Sequence, residues 1–180
     1  MVQLVSGEAT PQEEEREQEA SVTAARPSPR EFFERIVLPT VEESRRNPRD
    51  ERLARQALSE LNNLAERVFH HWGAGVPEVY GATNVSDYRT QLAVRECSDF
   101  QLVRDIADAH KHVELGRPGR QVTRDDQTAS GSLGYGEGRY GEGLYGGVEQ
   151  PVVRLDDGSR RAVLGIIESV FRMWERITPQ

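Results

Sequence analysis

The chain has 180 residues, a formal net charge of −7 and an apolar content of 36%. That length fits one domain plus a tail. The acidic balance excludes a general nucleic-acid binder, which would show a basic patch or a high isoelectric point. Cys97 is the single cysteine, so no intrachain disulfide forms, in keeping with a reducing cytosol. No basic start followed by an apolar run marks a secretory signal, and no apolar stretch approaches the length of a membrane span. The expectation is a cytoplasmic protein with no membrane contact. The apolar content falls below the ~45–50% usual for a compact domain, and two segments account for the shortfall: the N-terminus and a Gly-rich stretch near residue 140. The basic residues are 22 arginines and one lysine, a skew read as genome composition, that of a GC-rich bacterium.

Residues 1–27 are rich in Glu, Gln, Ala and Pro and hold too little apolar surface to offset the entropy of ordering, which predicts a disordered acidic tail. Six Glu and two Arg within the first 28 residues give −4 of the net charge. The remainder, residues 28–178, is predicted to be one helical domain. Ser28, Pro29 and Glu31 form a capping box with proline at the first helical position. Phe32, Phe33, Ile36 and Val37 give that helix its apolar face, and Pro39 is expected to kink or break it. Asn47 and Pro48 are read as the start of a second helix. Its stripe runs through Leu53, Ala57, Leu61, Leu64, Val68 and Trp72 at three- and four-residue spacing, and Gly73 ends it. A third helix is predicted from about Val85 to Glu96, with Tyr88, Leu92 and Val94 inward. A fourth opens on a Ser98/Gln101 capping box and runs to Leu115.

Residues 116–160 interrupt the helical pattern. Gln121-Val122-Thr123 is a short strand candidate, Pro151–Leu155 a second, and Asp157-Gly158 a hairpin turn signal. Between them lies a Tyr-Gly-Glu-Gly-x repeat that places Tyr135, Tyr140 and Tyr145 five residues apart. Its glycine density disfavours helix. Val163, Ile166, Ile167, Val170, Trp174 and Ile177 stripe a last helix from about Arg161. The fold class is therefore mainly α: a helical bundle of four to five helices with a β-hairpin-like Gly/Tyr-rich insertion before the last one.

The reactive side chains concentrate in Arg104-Asp105-Ile106-Ala107-Asp108-Ala109-His110-Lys111-His112. On a helical wheel, His110 falls with Leu102, Val103, Ile106, Ala107, Ala109 and Val113. Asp105, Asp108 and His112 lie opposite, and Arg104 and Lys111 share a flank. Three readings follow. In one, the segment is structural, with His110 in the core and the charges on a solvated face of ordinary helical pairs. In another, Asp105, Asp108 and His112 bind a metal, since carboxylate and imidazole ligands suit Zn, Mn or Fe.

The third reading rests on Arg104, Asp105 and His110. An arginine followed by a polar residue, with a histidine four to six residues further on, resembles the signature of the HEPN superfamily. The resemblance implies a metal-independent endoribonuclease or a derived RNA-binding protein, with Arg104, Asp105 and His110 in its site and no cofactor. It implies bacterial defence or toxin–antitoxin biology, and a homodimer whose protomers meet at the site. Histidine can serve as acid or base in cleavage next to the 2′-hydroxyl, and a guanidinium stabilises charge developing on phosphate. The face holding His110 would then be a dimer seam. Lys111, Tyr135, Arg139, Tyr140 and Tyr145 are candidates for contact with RNA or a protein partner, through base stacking or an adaptable binding loop. Glu137 and Glu142 favour the protein partner. The competing class is a non-enzymatic interaction module in which residues 104–112 are structural and the Gly-Tyr insertion makes the contact.

Overall fold

The computed structural model describes residues 27–112, 114–116, 118–137, 142–144 and 146–178. The acidic tail expected over residues 1–27 falls outside these but for Pro27, as do Arg139, Tyr140 and Tyr145. The described chain is mainly helical. Its helices are α1 (Pro29–Phe32), α2 (Leu38–Arg46), α3 (Glu51–Trp72), α4 (Val85–Arg95), α5 (Asp99–His112) and α6 (Val163–Ile177). A small antiparallel sheet adds β1 (Thr128–Gly131), β2 (Gln150–Arg154) and β3 (Arg160–Ala162), with β2 in the middle.

The first helix opens as its sequence dictates. The Ser28 hydroxyl accepts from the Glu31 amide at 3.1 Å, and the Glu31 carboxylate accepts from the Ser28 amide at 2.7 Å. Pro39 does not break it. A π-helical turn over Phe33–Val37 lets the Leu38 amide reach back five residues to the Phe33 carbonyl, and α2 continues directly to Arg46. A π-turn widens the helix locally and absorbs a proline that has no amide to donate. Asn47 belongs to the end of α2, not to the start of α3: its side chain donates to the Glu43 carbonyl at 3.0 Å. Asp50 is the cap of α3, accepting from the Leu53 amide at 3.1 Å. Gly73 ends α3 at φ 92°, where a side chain would be strained.

The core lies among α2, α3, α5 and α6. Trp174 is 0% exposed, its indole donates to the Leu61 carbonyl at 3.1 Å, and Phe100 meets it edge-on. Leu58, Leu61, Leu64, Ile106, Ile166 and Ile167 fill the space around it. Each large apolar side chain so enclosed contributes roughly 1.5–3 kcal/mol of burial. Val94, expected inward, is 78% exposed.

Two strand expectations change. Residues 121–123 form no strand, although Leu115 donates to the Thr123 carbonyl and Glu114 bridges Arg124. The strand that pairs with β2 on that side is Thr128–Gly131, whose sequence Thr-Ala-Ser-Gly has no apolar alternation to announce it. Of the two pairings open after the Asp157-Gly158 turn, residues 160–162 or residues 121–124, the first forms: β3 pairs Val152 with Ala162 and Arg154 with Arg160. The Gly-Tyr segment is fastened at several points. Glu137 takes Arg160 at 3.1 Å and Glu142 takes Arg161 at 2.6 Å. The Gln150 side chain holds both backbone groups of Leu144. Gly165 of α6 is required by this arrangement, because a methyl group there would sit 2.5 Å from Glu142 Cβ.

Candidate functional site

α4 and α5 pack side by side, and the chain leaving α5 folds back across their ends. A cavity of about 540 Å³ opens between them, lined by Ser86, Arg89, Arg104, Asp108, His112, Glu114, Leu115, Gly116 and Arg120. On α5 the contributors are Arg104, Asp108 and His112, four residues apart, so they follow one face of the helix. On α4 they are Ser86 and Arg89.

The three guanidiniums are held differently. Arg120, on the returning loop, is clamped between two carboxylates of α5: its Nη1 donates to Asp105 and its Nη2 to Asp108 at 2.7 Å. Arg104 donates only to hydroxyls, Ser86 at 2.9 Å and Thr90 at 3.3 Å. Among the described residues no carboxylate lies within ion-pair distance of it. Arg89 reaches the Asn62 carbonyl at 3.4 Å and Glu66 at 3.7 Å, both long. The Nε atoms of Arg89 and Arg104 are buried without a hydrogen-bond partner. Burial holds both guanidiniums below their ordinary value, and the Arg120 charge lowers Arg104 further. Both remain charged at any ordinary pH. Two cations taken partly out of water, short of counter-charge and facing one cavity, are set to receive an anion.

The residues singled out in the sequence divide. Arg104, Asp108 and His112 come together here. Asp105 does not face solvent with Asp108 and His112. It is 0% exposed and accepts from Arg120, from the Gln121 amide at 2.8 Å and from Gln101 at 2.6 Å. Burial pushes its carboxyl up, against those three donors. The wheel misplaced it because the loop after α5 supplies a buried counter-ion that no helical period reveals. Among the described residues no group of three or more His, Cys, Asp and Glu side chains is arranged to hold a metal. The set Asp105, Asp108 and His112 therefore fails as a ligand cluster: its two carboxylates are committed to Arg120.

His110 takes no part in lining the cavity. Its side chain is 10% exposed and sits 3.7 Å from Asp125, which Arg55 already binds at 2.7 Å. Neither ring nitrogen has a hydrogen-bond partner. Burial, then the nearby Arg55 charge, pushes its pKa down to about 4 against the pull of Asp125 and Glu51. It is neutral at pH 7. The neighbouring Val103, Ile106 and Ala109 are each 0% exposed within one chain, so this face is core and not a dimer seam. Lys111 and Tyr135 are both exposed and outside the cavity lining.

Arg89 and Arg120 were not among the sequence candidates. The Arg89 signal is faint: α4 is only weakly amphipathic, and Ser86 and Thr90 set two hydroxyls one turn apart beside it. A larger cavity of about 910 Å³ between α1 and α3 is lined by Phe32, Ile36, Arg67, His70 and others. There Arg67 is spread over the Phe32 ring at 3.8 Å, and no pair of unpaired cations converges. No helix among the described residues is long and apolar enough to cross a membrane. Comparison with protein-family models, with curated proteins and with solved structures finds no match for this chain.

Proposed function

We propose that the protein binds RNA through its phosphate backbone at the cavity between α4 and α5, without metal. The observation that carries this reading is Arg104: a half-buried guanidinium with no carboxylate partner, opening beside Arg89 into a cavity of ligand size. The HEPN-like pattern around Arg104 supplies the ligand class. In this reading Arg104 and Arg89 hold phosphate oxygens, Arg120 is the fixed wall, and Asp105 positions Arg120. His110 supports the fold. The homodimer and the protein partner of the Gly-Tyr segment are not needed for it. Glu137 and Glu142 are engaged by Arg160 and Arg161, which removes the free acidic charge that favoured a protein partner over RNA.

Fluorescence anisotropy with a labelled oligoribonucleotide tests the reading. Arg104→Gln should weaken binding about tenfold or more, the scale of one or two charged hydrogen bonds, with the thermal midpoint little changed. Equal affinity of the variant and the parent protein would overturn it. A gel of the same mixtures in a chelating buffer reads cleavage. Strand scission abolished by His110→Gln, in a variant that stays folded, would restore the ribonuclease reading with His110 as its acid–base residue.

A further inference from the structure

We infer that the cavity recognises a terminal phosphate monoester of an RNA strand in preference to an internal phosphodiester; this rests on the RNA-binding reading above. The argument is one of charge and lining. Of the three arginines, Arg120 has its charge met by Asp105 and Asp108. Arg104 has no carboxylate partner among the described residues and Arg89 only a long contact with Glu66 at 3.7 Å, so these two guanidiniums are the ones left to meet a dianion. A phosphate monoester carries about −1.5 to −2 at pH 7 with three terminal oxygens, whereas a diester carries a single charge. The same cavity also presents Asp108 and Glu114. A strand running through it would bring further phosphates past these carboxylates, and like charges at such range repel. A strand that ends there brings one doubly charged group and leaves on one side only.

The lining says equally what is not read. Among the described residues no Phe, Tyr or Trp faces the cavity, so the broad stacking platforms of single-strand binding grooves are missing there. The remaining polar groups, Ser86 and His112, are suited to a phosphate oxygen or a sugar hydroxyl. A volume of about 540 Å³ holds a phosphate with its adjoining sugar, within the ~300–1,000 Å³ of small-ligand pockets.

The experiment uses the full chain and one oligoribonucleotide in three forms: 5′-phosphorylated, 3′-phosphorylated and hydroxyl at both ends. Inorganic phosphate serves as competitor. A phosphorylated form should bind about tenfold or more tightly than the hydroxyl-ended form, and the 5′ and 3′ arms identify which end is held. The preference should vanish in Arg89→Gln/Arg104→Gln. Glu114→Gln, at an exposed position that does not threaten folding, should narrow it by improving the hydroxyl-ended strand. Equal affinity for all three forms overturns this inference while leaving RNA binding intact. No binding of any form overturns both. A preference unchanged in the double arginine variant places the terminal phosphate elsewhere and overturns the site. Failure of inorganic phosphate to displace the phosphorylated form overturns the cavity as its site.

Discussion

His110 shows how one residue can carry an attractive motif and a plain structural role. Its apolar neighbours on the wheel were legible, and of these Leu102, Val103, Ile106 and Ala109 are buried. What the sequence could not show is its company across the fold: Arg55 from α3 and Asp125 from the turn before β1, the latter 3.7 Å away. These charges stabilise one another, and the imidazole remains neutral beside them. The consequence is a pH dependence of stability. In the folded chain the pKa is about 4, against 6.5 for an unperturbed histidine. Between these values the unfolded chain binds a proton that the folded chain does not, so stability rises with pH there. The contribution is complete above pH 6.5 and is lost as the pH falls towards 4. The displacement corresponds to about 3 kcal/mol. His110→Leu keeps an apolar side chain of similar size and should flatten the acid limb by that order. Urea denaturation at a series of pH values measures it. An acid limb as steep in the variant as in the parent would show that His110 protonation is not what opens the fold.

At the scale of elements, the regular helices were readable because their stripes and caps are local. Ser28, Pro29 and Glu31 specify the start of α1, and the stripe of α3 from Leu53 to Trp72 repeats without interruption. The irregular parts were not. Pro39 is absorbed by a π-turn, Asn47 closes one helix instead of opening another, and β1 has no apolar alternation because it is an edge strand. Charged tethers decide where such segments go, and their partners are far apart in sequence. Arg161 is buried with Asp99, 62 residues away, while also holding Glu142. Arg120 ties the loop after α5 to Asp105 and Asp108. Removing one partner of such a buried pair leaves an uncompensated charge and costs about 3–5 kcal/mol. Asp105→Ala and Arg120→Ala should each lower stability on that scale, whereas the double variant should cost clearly less than their sum. A double-mutant cycle by chemical denaturation reads the coupling. Additivity within about 0.5 kcal/mol would mean that the clamp does not bind the loop to the helix.

For the whole molecule, the acidic balance and the proposed ligand conflict only if charge is averaged. The net charge is −7, yet many of the described arginines are already paired, among them Arg45 with Glu168, Arg55 with Glu51 and Asp125, Arg160 with Glu137, and Arg161 with Asp99 and Glu142. The sequence displayed the number of arginines but not this pairing, and so could not single out Arg89 and Arg104. Of the present site, Arg104, Asp108 and His112 were among its candidates, and Arg89 and Arg120 were not. The proposed site is one cavity, not a basic groove that follows a strand along its length. Its binding should therefore depend weakly on salt. For single strands the slope of log affinity against log salt is about −0.7 for each phosphate contact that releases a counter-ion. Arg104 and Arg89 acting at one phosphate group neutralise one phosphate and give a slope of roughly −0.7, and Arg89→Gln/Arg104→Gln should remove it. Anisotropy titrations across a salt series measure both slopes. A steep dependence, several-fold beyond this, would require a row of phosphate contacts over the surface, and the cavity between α4 and α5 would then be at most one of many anchoring points. A shallow slope that is lost in the double variant ties the affinity to Arg104 and Arg89 together, because Arg104 without a carboxylate partner and Arg89 with only its long contact to Glu66 line one cavity.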